Sequence, residues 1–184
     1  MGCKKGCGGS SGGCKKCFCT ILRCMLKCCE PTPPGECETA YAKGGPPLET
    51  CFTDLGFGNW GWTNGPIGPG FTGTWPVWAG AAQCDTSKGH LAGHVVVAHD
   101  GQNVTIRFQA EEGCCITEQQ VYIGADQLPT GPGGQPTVSP GQYPFKQDFD
   151  GCVTESLMSE PFTGPVFVIF HVVACCEPAT KEQV

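Results

Sequence analysis

Polar and apolar positions alternate in short runs over most of this chain, and no long segment keeps a helical period. The clearest unit is residues 93–108. HVVVAH and VTIRFQ flank Asp100, Gly101, Gln102 and Asn103, and Val104, Ile106 and Phe108 alternate with Thr105 and Arg107. A period of two with turn residues between two such runs predicts a β-hairpin with one buried face. Further strands are predicted at residues 71–79, 116–123 and 165–175. The last, PVFVIFHVVAC, is nearly continuous in apolar residues and reads as a central strand covered on both faces. Residues 124–145 are rich in Pro and Gly, and a loop this long in a compact domain is either functional or packed by its own side chains. The expectation is an all-β domain, a jelly-roll-like β-sandwich of about seven to nine strands spanning residues 37–184.

The first 36 residues break this pattern. Residues 1–16 are Gly, Ser, Lys and Cys, too poor in apolar surface to fold alone. In residues 17–29, Phe18, Ile21, Leu22, Met25 and Leu26 fall on one helical face with Lys16, Arg23 and Lys27 opposite, predicting a short amphipathic helix. Pro31, Pro33 and Pro34 then end it and form a stiff hinge. Residues 1–36 are therefore expected to be a separate flexible arm.

Charge divides at the same place. Residues 1–30 carry six basic side chains against Glu30, a net of +5, while the remainder carries −11, giving −6 for all 184 residues. Opposite charge lets arm and domain attract one another, within a molecule or between neighbours, over about 8 Å at physiological salt. An acidic main domain disfavours nucleic acid as a partner, because phosphates are repelled. The longest apolar runs fall short of the ~20 residues of a membrane span, and no standard secretory signal peptide is expected from the N-terminal pattern.

Sixteen cysteines change the picture most. Cys3, Cys7, Cys14, Cys17, Cys19, Cys24, Cys28 and Cys29 lie in the arm. Cys37, Cys51, Cys84, Cys114, Cys115, Cys152, Cys175 and Cys176 lie in the domain. Eight domain thiols allow a closed set of four bridges with 105 pairings. Adjacent cysteines on a strand point to opposite faces, so one of each pair can serve the core while the other reaches a neighbouring sheet, the arm or another subunit. Cys175 and Cys176, or Cys114 and Cys115, are thus expected acceptors for arm thiols. The alternative is reduced, buried cysteine acting as a small hydrophobe.

Other chemistry is thinner. Cys14, Cys17, Cys19 and Cys24 contain one C-x-x-C half of a zinc site, but a second regular half is missing, and irregular spacing suits tethers better. Met1-Gly2-Cys3 would allow acylation at Gly2 and Cys3 and hence a membrane surface, although Gly6 stands where Ser or Thr is preferred. His90 and His94 with Asp85 or Cys84 form a conceivable metal set, yet strand histidines are more often structural. Trp60, Trp62, Trp75 and Trp78 are read as one aromatic contact cluster, serving the core, subunit packing or sugar stacking. Asn59 and Asn64-Gly65-Pro66 beside it are read as turns, and Asp148 and Asp150 as fragments of a calcium loop lacking the full ligand repeat. No arrangement places a base beside a nucleophile, so an enzyme is not expected.

The phrases ETAYA, DLGFGNWGWTNGPI, WAGAAQCDTSKG, VAHDGQNVTIRF, VYIGADQLP and PGQYPF, together about 110 residues, resemble a module of uncharacterised exported bacterial surface proteins. That resemblance implies a β-rich extracellular module of structural or adhesive type and no catalytic residue. In architecture alone, a cysteine-bearing arm ahead of a β-sandwich with a cysteine pair in its last strand is similar to the disulfide-linked subunits of endospore appendages. The function expected from all of this is a structural subunit that self-assembles outside the cell through disulfides formed by its arm. The alternatives are a carbohydrate- or metal-binding surface module, and an acyl-anchored protein. No cofactor is expected beyond zinc on the arm cysteines.

Overall fold

A computed structural model describes residues 35–177. The arm helix expected over residues 17–29 and the arm cysteines lie outside the described residues. The domain is all-β, as its alternating pattern requires. Its strands are β1 (Cys37–Ala42), β2 (Glu49–Cys51), β3 (Trp62–Ile67), β4 (Phe71–Ala79), β5 (His90–His99), β6 (Asn103–Ala110), β7 (Cys114–Gly124), β8 (Phe145–Val153), β9 (Glu155–Pro161) and β10 (Val166–Cys176). No helix among the described residues is long and apolar enough to cross a membrane.

All ten strands belong to one antiparallel sheet, more than the seven to nine expected. The sheet folds over at β1 to make the two layers of a sandwich, with β8 and β9 as margins not paired to each other. β9, β6, β5 and β4 form one layer, and β8, β7 and β10 form the other, with β3 and β2 continuing beyond β10. β1 joins the layers. Its residues Cys37 to Tyr41 pair with β10, whereas Ala40 to Ala42 pair with β4. At this fold line Ala40, Ala42 and Ala79 are fully buried, because only small side chains fit where two layers converge.

The central strand is β10. Val166, Val168, Phe170, Val172 and Ala174 face the main core, where Phe170 stacks on Phe108 of β6 at 5.7 Å. The opposite face, with Phe167 and Ile169, packs into a second apolar cluster. Its continuous apolar run thus reflects cover on both sides. The predicted hairpin is β5–β6, and the Asp100 carboxylate shapes its turn by accepting from the Gln102 and Asn103 amides, each at 2.7 Å. Gly93 in mid-strand has a steric reason: a Cβ there would lie 2.4 Å from the Gln109 carbonyl.

Asn64 departs from its expected role as a turn residue. It sits inside β3, fully buried, where its amide donates to the Ala42 carbonyl at 3.1 Å and its Oδ1 accepts from the Gly44 amide at 2.6 Å. β1 and β3 diverge from the same edge of β10, and this side chain supplies the hydrogen bonds that the backbone cannot.

Candidate functional site

The chemistry of this domain is concentrated in its cysteines. All eight that it carries are paired, as Cys37–Cys175, Cys51–Cys84, Cys114–Cys176 and Cys115–Cys152. Three of these bridges lie side by side at one end of the sheet. β1, β10, β7 and β8 are consecutive neighbours, and each adjacent pair is joined once. Starting at Cys37, the covalent path crosses to Cys175, takes one peptide bond to Cys176, crosses to Cys114, takes one peptide bond to Cys115, and crosses to Cys152. Three bridges and two peptide bonds thus form a continuous belt perpendicular to four strands.

The vicinal cysteines make this possible. A strand in the middle of such a belt needs one sulfur for each neighbour, and side chains of successive residues point to opposite faces of the sheet. Cys175-Cys176 and Cys114-Cys115 therefore occupy the two interior strands, while the single Cys37 and Cys152 occupy its ends. The register supports it, with Cys37 opposite Cys175 and Cys176 opposite Cys114. The expectation that Cys175, Cys176, Cys114 or Cys115 would accept a thiol from the arm is corrected here: each is consumed within the domain. The sequence signal was present in the doublets, read too loosely as spare valence.

The remaining bridge, Cys51–Cys84, serves the second apolar cluster. There Tyr41, Phe52, Trp62, Tyr122, Tyr143 and Ile169 are buried on the outer face of β1, β3, β7 and β10, beneath the segments that follow β2, β4 and β7. The long segment after β7 is packed by its own side chains. Tyr143 is buried with its hydroxyl donating to the Val138 carbonyl at 3.0 Å, and burial drives the phenol pKa upward.

The four tryptophans do not make one exposed face. Trp62 is buried in the second cluster with Trp60 edge-on at 5.9 Å, and Trp78 packs at its margin. Trp75 lies in the main core against Phe71. Trp75, Val77 and Ala79 face the main core on alternate positions of β4, so Trp78 points to the opposite face. A shallow groove of about 670 Å³ between Leu55, Phe57, Asp126, Leu128 and Gln135 is lined by none of the four.

The histidines also separate. His94 pairs with Glu111 at 3.0 Å and His90 with Glu38 at 3.8 Å. Cys84 is in a bridge, and the Asp85 carboxylate accepts from the Ser87 amide and hydroxyl, which hold its pKa below the usual range. The metal set imagined from His90, His94, Asp85 and Cys84 therefore does not assemble. Among the described residues no three His, Cys, Asp or Glu side chains converge on a common point, and Asp148 and Asp150 stand exposed on β8. The zinc-type set Cys14, Cys17, Cys19 and Cys24 lies outside the described residues. His171 is buried, and its Nδ1 faces Gln120 Oε1 at 2.5 Å. The Gln120 amide nitrogen donates to Glu118 at 3.0 Å, so its oxygen is the acceptor and His171 Nδ1 carries the proton. Burial lowers the His171 pKa from 6.5 to about 4.

The class this defines is a disulfide-stapled antiparallel β-domain, a chemistry that fits an oxidising environment. Searches with the chain against family models, characterised proteins and solved structures return no match.

Proposed function

We propose that the protein is a non-enzymatic structural subunit of a disulfide-cross-linked assembly at or outside a cell surface, with the N-terminal arm tethering neighbouring subunits. One observation carries the reading: the domain closes all eight of its cysteines internally, while eight more lie in residues 1–34. A stapled domain needs no further thiols for its own stability. Any tether the arm forms outside itself then ends on another arm, not on a domain strand. The arm's basic charge and the domain's acidic charge favour contact between neighbours before the covalent step. The resemblance to exported surface modules points the same way.

The test is electrophoresis of the native material with and without reductant, followed by mapping of the linked peptides. Covalent multimers that collapse to monomer on reduction are expected, with intermolecular links joining Cys3–Cys29 segments only. Monomer in both lanes ends the reading. Intermolecular links ending on Cys114, Cys115, Cys175 or Cys176 would restore the arm-to-domain alternative.

A further inference from the structure

The belt has a direction as well as a strength. Cys37 opens β1, so whatever pulls on the chain upstream pulls first on that residue. Tension at the start of β1 falls first on the register pair at that end of its antiparallel ladder with β10. Here the first register pair of β1 with β10 is itself a disulfide, between residues whose Cα atoms are 4.0 Å apart. The next covalent crossing lies one residue away, and the third one residue beyond that.

We propose that the belt is a mechanical anchor: tension arriving along the arm passes by covalent bonds into β1, β10, β7 and β8, and the hydrogen-bonded ladders between them carry almost none of it. Bridge placement favours this over stabilisation alone. Bridges that served only to restrict the unfolded chain would act wherever they closed large loops, and would have no reason to share two vicinal doublets in one line. Cys51–Cys84, which lies off the line, shows what such a local staple looks like in the same molecule. Cys37 also ties the start of β1 to the C-terminal end of β10, the strand with the most neighbours. The anchor holds whether or not arms cross-link, so its test is independent of the proposed assembly.

The experiment stretches single full-length molecules between the N-terminus and a handle on an azide-bearing residue replacing Asp150, which is exposed and two positions before Cys152. In the oxidised protein, no part of the domain between the handles should be released before the disulfides or the handles fail. Full reduction should free the 113 Cα–Cα steps from Cys37 to position 150, a gain of about 380 Å at ~3.4 Å per step. Replacing only the middle crossing, with Cys114→Ser and Cys176→Ser together, should release the 23 Cα–Cα steps from Cys152 to Cys175, about 80 Å. Release of either length from oxidised, unsubstituted protein would overturn the proposal. That measurement decides the matter even where the double variant fails to fold.

Discussion

His171 gives the sharpest test of how this domain is held together. Its ring is buried against Tyr41, with centroids 4.7 Å apart, and burial disfavours the imidazolium, lowering the pKa from 6.5 to about 4. A histidine depressed in this way is neutral in the folded state. Its contribution is therefore fully present above pH 6.5 and is lost as pH falls towards 4, where the unfolded chain gains a proton that the folded one resists. The linkage gives a loss of about 2 kcal/mol between pH 7 and pH 5, and about 3 kcal/mol by pH 4. Tyr41 stays protonated throughout, since burial raises its pKa, and Glu118 is reached only through the Gln120 amide. The perturbation is His171→Asn, which keeps a donor towards Gln120 and cannot titrate. Guanidinium unfolding with all bridges intact, followed by tryptophan fluorescence at pH 7, 6 and 5, compares the two proteins. Wild type should lose about 2 kcal/mol more than the variant between pH 7 and pH 5. A wild-type-minus-variant difference that stays flat with pH would refute the assignment of that slope to His171.

The core and its polar exception make further predictions. Phe170→Ala removes the ring stacked on Phe108 and should cost about 4 kcal/mol in guanidinium unfolding. Asn64→Ala leaves the Gly44 amide and the Ala42 carbonyl without their partner. It should cost about 3 kcal/mol and speed hydrogen exchange at the Gly44 amide. Replacing Cys51 and Cys84 together with Ser should lower stability by about 3 kcal/mol. It should also weaken the near-ultraviolet circular dichroism of the cluster around Trp62, while the three belt bridges survive in a non-reducing peptide map. Leu157→Lys, at a side chain 58% exposed on β9, should change stability by less than about 0.5 kcal/mol.

The β5–β6 hairpin, β4 and β10 were legible because each carries a pattern that only one environment explains. Val95, Val97, Ile106 and Phe108 face one core on alternate positions, and β10 is apolar on both faces. β8 and β9 were not legible. FKQDFDGCV and ESLMSEP lie at the sheet's margins, expose most of their polar side chains and bury few apolar ones, so no period stands out. β3 was hidden by Asn64-Gly65-Pro66, three residues that punctuate turns elsewhere and here carry a strand past a fold line. The joining of the layers through β1 was not legible either, since it depends on contacts far apart in sequence. The cysteine content announced four bridges but not their pairing. Only the sheet order shows that the doublets mark the two interior strands of a line.

The second cluster makes the molecule unequal on its two sides. Loops cover the outer surface of β1, β3, β7 and β10 and reach Trp78 of β4, whereas the outer surface of β5, β6 and β9 is bare among the described residues, with Val96, Arg107 and Leu157 in one row. Such a body has a front and a back. A contact between two copies through the bare side would close about a two-fold axis, whereas a front-to-back contact would repeat from copy to copy.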